Sequence, residues 1–433
     1  MTGVSEPFMI PFALALGGTA VEAGLLSSAR NLFVSLVQLG SARAVSVLGS
    51  RKAVVLTTVG LQAALWVPIA FVAPLFGARA VAALIVLYTL GTAGAGLGGP
   101  AWGSLVSEYV PDDARGRFFG RRARVCGLWT SIASLVAGEI LARTASRGVV
   151  GFTILCLVAA AARCISLAFL AQYHEDPWRE SPHLRFSFWR FIRQVRHSNF
   201  ARFSVCLAVV NFAATVAAPY FVVYQLEELD LGYLAYTMIA LAGSMTGFLT
   251  SAWWGHIGDR FGNQAVLRWT IPSVAVLPLL WVWVPHAAAL AVFNALGAFL
   301  WAGLNLSTTN FVYDAVSPGK RHTCLAYFNV LNGLGVALGP LVGGWAMHAL
   351  EPTHGSRLMT VFYCSAALRL AAALAFRRLV REVRTVRQVG LREVMLDLAE
   401  QGVVQVLGLF SVAPERELGR RRRRRRRRER KQA

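Results

Sequence analysis

The sequence predicts an all-helical membrane protein of twelve spans, built as two related halves. Three observations carry this: composition, the spacing of long apolar runs, and oddities that recur at constant offsets. Of 433 residues, 56% are hydrophobic and 15% charged, with a mean hydropathy of +0.52. A soluble chain of this length cannot bury so much apolar surface. Backbone groups in lipid must be satisfied within their own segment, so long apolar runs mean helices. A membrane barrel would show short alternating strands instead.

A span needs about 20 apolar residues. Candidates fall near 4–17, 25–47, 53–75, 80–107, 123–142 and 149–172, then near 203–226, 234–254, 265–285, 287–313, 323–349 and 357–377. This divides the chain into an N-terminal bundle over 1–172, a linker over 173–202, a C-terminal bundle over 203–378 and a tail over 379–433. The first span is short, so its helix is expected to be truncated or to begin upstream of Met1. Glu6 lies eleven residues before Gly17, and at about 1.5 Å per residue that is about 17 Å deep. Glu22 is expected in the following loop, with Arg30 near the outer end of the second span. The N-terminus has no basic stretch or small-residue cleavage site, so no signal peptide is expected.

Orientation follows from lysine and arginine bias. One set of loops carries Arg51 and Lys52; Arg115, Arg117, Arg121, Arg122 and Arg124; Arg179, Arg185, Arg190, Arg193 and Arg196; Arg260; and Lys320 and Arg321. The opposite set carries Arg79, Arg143, Arg147 and Arg357. The basic set is expected to be cytoplasmic, which places both termini inside the cytoplasmic (inner or plasma) membrane.

The linker alternates aromatics and arginines from Phe186 to Arg196, which suits a helix lying on the cytoplasmic leaflet. Leu391 to Phe410 could form an amphipathic helix. Nine arginines, Arg420 to Arg428, supply much of the formal net charge of +21. Such a run is a low-complexity tail that could touch anionic lipid. No folded module accompanies it, so specific nucleic-acid binding is not expected. Cys126, Cys156, Cys164, Cys206, Cys324 and Cys364 lack C-x-x-C spacing and read as small buried hydrophobes.

Internal repeats show as matching oddities at a fixed offset. Glu108 and Asp314 are 206 residues apart, as are Arg115 and Arg321, Gly127 and Gly333, and Arg163 and Arg369. The last pair stands out, because arginine within an apolar span is rare and costly. At offset 213, Gly255, Asp259 and Gly262 align with Ala42, Ser46 and Gly49. The first copy therefore keeps its last glycine and loses the carboxylate.

The stretch Gly255-His256-Ile257-Gly258-Asp259-Arg260-Phe261-Gly262 joins two apolar runs. Its G-x-x-x-D-R-x-G pattern resembles the loop signature of the major facilitator superfamily. Glu108 to Arg115 and Asp314 to Arg321 resemble the charged pairs at the inner ends of the fourth and tenth helices of sugar-porter-type members. The wording Gly99 to Leu105 and Arg115 to Arg122 is similar to that of prokaryotic members. The resemblance covers about 4–377. It implies a twelve-helix fold of two pseudo-symmetric six-helix bundles that rock about a central solute site.

On that resemblance, Gly255, Asp259, Arg260, Gly262, Asp314, Arg321, Glu108 and Arg115 form a cytoplasmic gate, and Asp259 bridges the bundles in the outward-open state. Partly desolvated charge pairs can lock helix ends and yet break. The resemblance also walls the cavity with the first, fourth, seventh and tenth helices. Solute contacts are then expected from Glu6, Asn211, Thr215, Tyr220, Tyr224, Asn305, Thr308, Thr309 and Tyr313. Asn305, Thr308 and Thr309 fall on one helix face. Arg163 and Arg369 are expected to be structural and away from the cavity. Glu6 is the candidate for proton coupling, which needs a titratable carboxylate in the cavity.

The expected function is secondary active transport of a small solute by alternating access, by a monomer that needs no cofactor or metal. A cavity of amides, hydroxyls and aromatics disfavours a highly charged cargo. No catalytic constellation or ATP-binding loop stands out, so an enzyme is not expected. A non-transporting scaffold or sensor of the same fold is the alternative.

Overall fold

The computed structural model describes residues 1–110, 115–175, 198–283, 286–316 and 318–380. The stretch 176–197, expected as an interfacial helix, and the tail from 381 lie outside the described residues. So do the side chains of Glu108, Arg115, Asp259, Tyr313 and Arg321.

Among the described residues every named element is helical. Twelve spans follow one another: α1 (2–15), α2 (Ala20–Gln38), α3 (Arg51–Ala70), α4 (Ala80–Tyr109), α5 (Arg115–Thr144), α6 (Val150–Ala171), α7 (Asn199–Glu228), α8 (Tyr233–Phe261), α9 (Asn263–Trp283), α10 (Ala287–Ala315), α11 (Pro318–Ala349) and α12 (Arg357–Leu379). Among the described residues, eleven of these are long and apolar enough to cross a membrane, and α1 falls short. Below, the end carrying Arg51 and Arg260 is the basic face, and the end carrying Gly17 and Gly77 is the opposite face.

Short polar motifs set several helix starts. Thr19 and Glu22 form a capping box on α2: the Glu22 amide donates to Thr19 Oγ1 at 3.3 Å, and the Thr19 amide donates to Glu22 Oε2 at 2.8 Å. This satisfies two orphan donors at once. It corrects the expected second span: Glu22 lies in the first turn of a helix, and Arg30 sits at mid-span. The remainder of that expected span is a separate short helix, Ser41–Leu48. Ser50, Ser198 and Ser356 cap α3, α7 and α12 one-sidedly, each hydroxyl oxygen accepting from first-turn amides.

The first helix of each half is broken. In α1, a 3-10 turn Glu6–Phe8 separates Thr2–Ser5 from Met9–Ala15. Pro7 lies in that turn and has no N–H for the ladder. In α7, Asn199–Thr215 gives way to a turn with Pro219, then to Tyr220–Val223 and a π-turn, Tyr224–Glu228.

In the first half, α3 packs on α4 and α6, α2 on α4, and α1 on α5 and α6. In the second, α8 packs on α10, α7 on α11 and α12, and α9 on α10 and α12. The halves meet through α2 against α11 and α5 against α8. A Cβ added at Gly333 would collide with Ser35 of α2, and one at Gly138 would collide with Thr237 of α8. Hydrogen bonds cross the same seam: Ser28 Oγ donates to the Ala337 carbonyl at 2.5 Å, and Tyr236 Oη to the Pro7 carbonyl at 2.7 Å. Cysteines depart from expectation, because Cys126 and Cys164 are exposed while Cys156 and Cys206 are buried.

Candidate functional site

A cavity of ≈ 1040 Å³ opens in the second half, lined by α7 to α12. A smaller one of ≈ 250 Å³ lies on the seam between α1, α5 and α8. The two share Tyr236, Ala240, Ser244 and Phe248 of α8. The expected walls were α1, α4, α7 and α10. α8, α9, α11 and α12 contribute as well, and on α8 Gly243 and Gly247 lie against Asn294 and Ala298 of α10.

Asn211, Thr215, Asn305 and Thr309 line the large cavity. Asn211 Nδ2 donates to Asn332 Oδ1 at 2.6 Å, and Asn332 Nδ2 donates to the Phe328 carbonyl at 2.9 Å. Thr215 and Thr309 turn their hydroxyl hydrogens onto carbonyls of their own helices. Asn305 is exposed to the cavity and its amide makes no hydrogen bond among the described residues. Its donors and acceptor are open to a ligand.

Three expected contacts are corrected. Thr308 is 8% exposed and points into the α10 packing, because i+3 falls on the other side of residue i from i+4. Tyr220 and Tyr224 are fully buried in the core near the opposite face. Tyr220 Oη donates to the Pro340 carbonyl at 2.7 Å. Nine residues separate Asn211 from Tyr220 and Thr215 from Tyr224, about two and a half turns at about 3.6 residues each, which puts both rings on the side of α7 away from the cavity.

The arginines differ from expectation too. Arg369 lines the large cavity although it stands on α12 and is 5% exposed. Its guanidinium reaches between helices and donates to Ser365 Oγ at 3.1 Å, the Val274 carbonyl of α9 at 3.0 Å and the Ala214 carbonyl of α7 at 2.9 Å. In the first half, Arg30 Nη2 meets Glu6 Oε2 at 3.2 Å, with both side chains 35% exposed. The Arg30 guanidinium also lies 5.9 Å from the Tyr88 ring centroid. Arg163 is near enough to Glu6 to act on it electrostatically. Glu6 therefore sits among guanidiniums at the break in α1.

At the basic face, Gly49 and Gly262 end their helices with φ of +65° and +90°, conformations that glycine adopts without steric cost. Gly255 faces Leu306 of α10 across an ordinary contact. Arg260 is exposed, its guanidinium 5.1 Å from the Phe261 ring centroid. Asn263 Nδ2 donates to Asp314 Oδ2 at 2.9 Å, tying the start of α9 to the end of α10. Buried Gln264 donates to the Val380 carbonyl just past α12.

The matching junction of the first half holds a carboxylate that sequence reasoning missed. Glu175, just past α6, accepts from Ser50 Oγ at 2.5 Å, the Arg51 amide at 2.8 Å, Arg51 Nε at 3.0 Å and the Lys52 amide at 3.1 Å. Arg51 Nη1 continues to Ser104 Oγ of α4 at 3.2 Å. Burial pushes the Glu175 carboxyl up, but the hydrogen bonds from Ser50, Lys52 and Arg51 outweigh it, and the net shift is down. No group of three or more His, Cys, Asp or Glu with metal-binding geometry occurs among the described residues.

The sequence model of the family described as Major Facilitator Superfamily matches residues 1–340. The chain is 24% identical over 119 residues to an efflux pump, azaK, of Aspergillus niger; the match spans 28% of this chain and 25% of that protein's length. Among solved structures, a mutant of the nucleoside transporter NupG superposes with a TM-score of 0.68 at 16% identity, covering 88% of this chain and 96% of that one. A D-xylose-proton symporter gives 0.67 at 12% identity, over 90% and 94%. The xylose transporter XylE of E. coli, in an inward-open conformation, gives 0.64 at 13% identity, over 88% and 94%. At these identities the likeness is one of fold.

Proposed function

The chain belongs to the Major Facilitator Superfamily, and from that premise we propose that it is a secondary active transporter carrying a small solute across the cytoplasmic membrane by alternating access. The observation that carries this is the large cavity, joined at α8 to a smaller one on the seam between the halves. A rocking motion about that seam would expose such a cavity to each side in turn.

The described contacts across the seam support a state closed at the opposite face. On α5 and α8 they run from the Gly138–Thr237 approach to that of Gly127 and Phe248. Gly127 lies 17 residues from the end of α5 at Thr144, about 25 Å at about 1.5 Å per residue. Beyond it, at the basic face, we place the gate: Asp259, Arg260, Asp314 and Arg321, with Glu108 and Arg115 opposite. We place the basic face and both termini in the cytoplasm, on the lysine and arginine bias of its loops.

Glu6 is our coupling residue. Its carboxylate is neutralised by Arg30 in the described state. A proton is the alternative partner when the helices move and that pair parts, because an uncompensated charge in a low-dielectric site is costly.

The test uses the full chain in oriented proteoliposomes, freed of its native cysteines and carrying Asn305→Cys. A membrane-impermeant maleimide is expected to label it chiefly from the basic face, and Asp259→Asn should raise that labelling severalfold by weakening the closed gate. Labelling from neither side, or labelling indifferent to Asp259→Asn, would refute the gated-cavity scheme.

A further inference from the structure

We propose that the cavity takes a singly charged organic anion with a flat apolar body, its anionic group held by Arg369; this deepens the transporter reading and rests on it. A guanidinium carries five N–H donors. Arg369 gives one each from Nε, Nη1 and Nη2 to Ser365, Val274 and Ala214, so two donors remain. All three partners are neutral oxygens. Arg369 is the one charged side chain on the described cavity wall, which includes no Asp or Glu. A buried cation held by neutral oxygens alone keeps its full charge at the wall of the cavity. Cross-linking α7, α9 and α12 accounts for three of its donors. It accounts neither for the two that remain nor for the missing counter-charge.

The shape of the wall sets the rest of the cargo. Phe221 and Trp281 line the same cavity with ring centroids 4.7 Å apart. Each lies seven residues beyond the carbonyl that holds the guanidinium, Ala214 and Val274 respectively. At about 1.5 Å per residue that is about 10 Å along the helices, the length of a bicyclic aromatic acid. Asn305 offers an unengaged amide on the same wall. The first half repeats the sign, since Arg30 and Arg163 share one carboxylate, Glu6. The described wall of the large cavity itself holds one cation, Arg369, which suits a single anionic group, whereas a dianion would leave one charge uncompensated.

The experiment compares matched pairs that differ only in charge: 2-naphthoate with 2-naphthamide, and indole-3-acetate with indole-3-acetamide, beside neutral sugars and nucleosides. Thermal stabilisation of the purified full chain reads binding, and exchange in proteoliposomes reads transport. The carboxylates are expected to bind at least tenfold more tightly than their amides and to exchange. Arg369→Gln should abolish the difference and Arg369→Lys should keep part of it. Because Arg369 also ties helices together, Asn305→Asp is the second arm. It adds a negative charge to the wall without touching those ties, and should weaken carboxylates about tenfold while sparing amides. Equal binding of acid and amide, or indifference of the acids to Asn305→Asp, overturns the anion assignment. Exchange of neutral solutes in that case leaves the transporter reading standing; exchange of none of the compounds defeats both.

Discussion

Replacing Glu175 should destabilise the first half more than its position outside the spans suggests. The Arg51 and Glu175 side chains are 7% and 10% exposed, and the carboxylate accepts four hydrogen bonds, two of them from amides at the start of α3. Glu175→Ala takes the carboxylate from a mostly buried guanidinium and returns two amide donors to solvent. Breaking a buried pair costs about 3–5 kcal/mol. This one sits at a helix end that water can reach, so the low end applies, about 3 kcal/mol. Glu175→Gln keeps the volume and one acceptor, and should cost about 1.5–3 kcal/mol, the range for a lost hydrogen bond to a charged group. The assay is reversible unfolding in mixed micelles, with Arg51→Gln completing a double-mutant cycle. A loss below about 0.5 kcal/mol for Glu175→Ala, within the usual scatter of surface substitutions, would show that the latch does not hold the fold.

The same latch carries a pH signature. The folded Glu175 carboxyl lies below its ordinary value, so its contribution is complete above about pH 4.3, the unfolded glutamate value. It is lost as pH falls from there through the lower folded value. The parent should be flat through neutral pH and weaken only in acid; Glu175→Gln should lack that acid-side loss.

Three further outcomes are expected. Gly262→Ala should cost about 1–3 kcal/mol in thermal unfolding, because φ +90° with ψ +148° is a glycine conformation; Gly49→Ala, in the left-handed helical region, should cost less, and the reverse order would count against the strain. Gly333→Ala drives a methyl into Ser35 across the seam, so it should disfavour the described state and lower Asn305→Cys labelling from the basic face; unchanged labelling would show the approach to be incidental. Glu6→Gln removes the carboxylate that pairs with Arg30 and should flatten the pH dependence of transport while exchange continues, whereas an unaltered pH profile would exclude Glu6 from coupling.

Much of the fold was legible in the residues, and the failures have local causes. The apolar runs gave twelve spans because lipid demands one helix per run. Arg30 was misplaced because the second span was started at residue 25, five residues after the helix begins at Ala20. The signal was present: Thr19 and Glu22 have capping-box spacing, which moves Arg30 to mid-span beside Glu6. Tyr220 and Tyr224 failed for a different reason. Both read as polar groups of a cavity helix, yet each lies nine residues beyond Asn211 or Thr215, about two and a half turns, so helical spacing itself sets both rings on the far face. Arg369 was placed away from the cavity from the position of its helix, although a side chain of that length reaches past its own helix to the carbonyls of two others.

The loop before the third helix of each half shows what pattern matching sees and what it misses. Ser46 stands where the second half has Asp259, which read as a lost carboxylate. The structure places a carboxylate at that junction after all, but it comes from Glu175, 124 residues after Arg51. No repeat alignment of the loop could find it. At offset 213 Ser50 matches Asn263 and Arg51 matches Gln264, and each member of these pairs does related work: Ser50 and Arg51 hold Glu175 past α6, while Gln264 holds the Val380 carbonyl past α12. Each junction also holds a carboxylate, Glu175 on Ser50 and Arg51 and Asp314 on Asn263. It is delivered from just past α6 in one half and from the end of α10 in the other, so the same two positions fasten different helices to the start of the third.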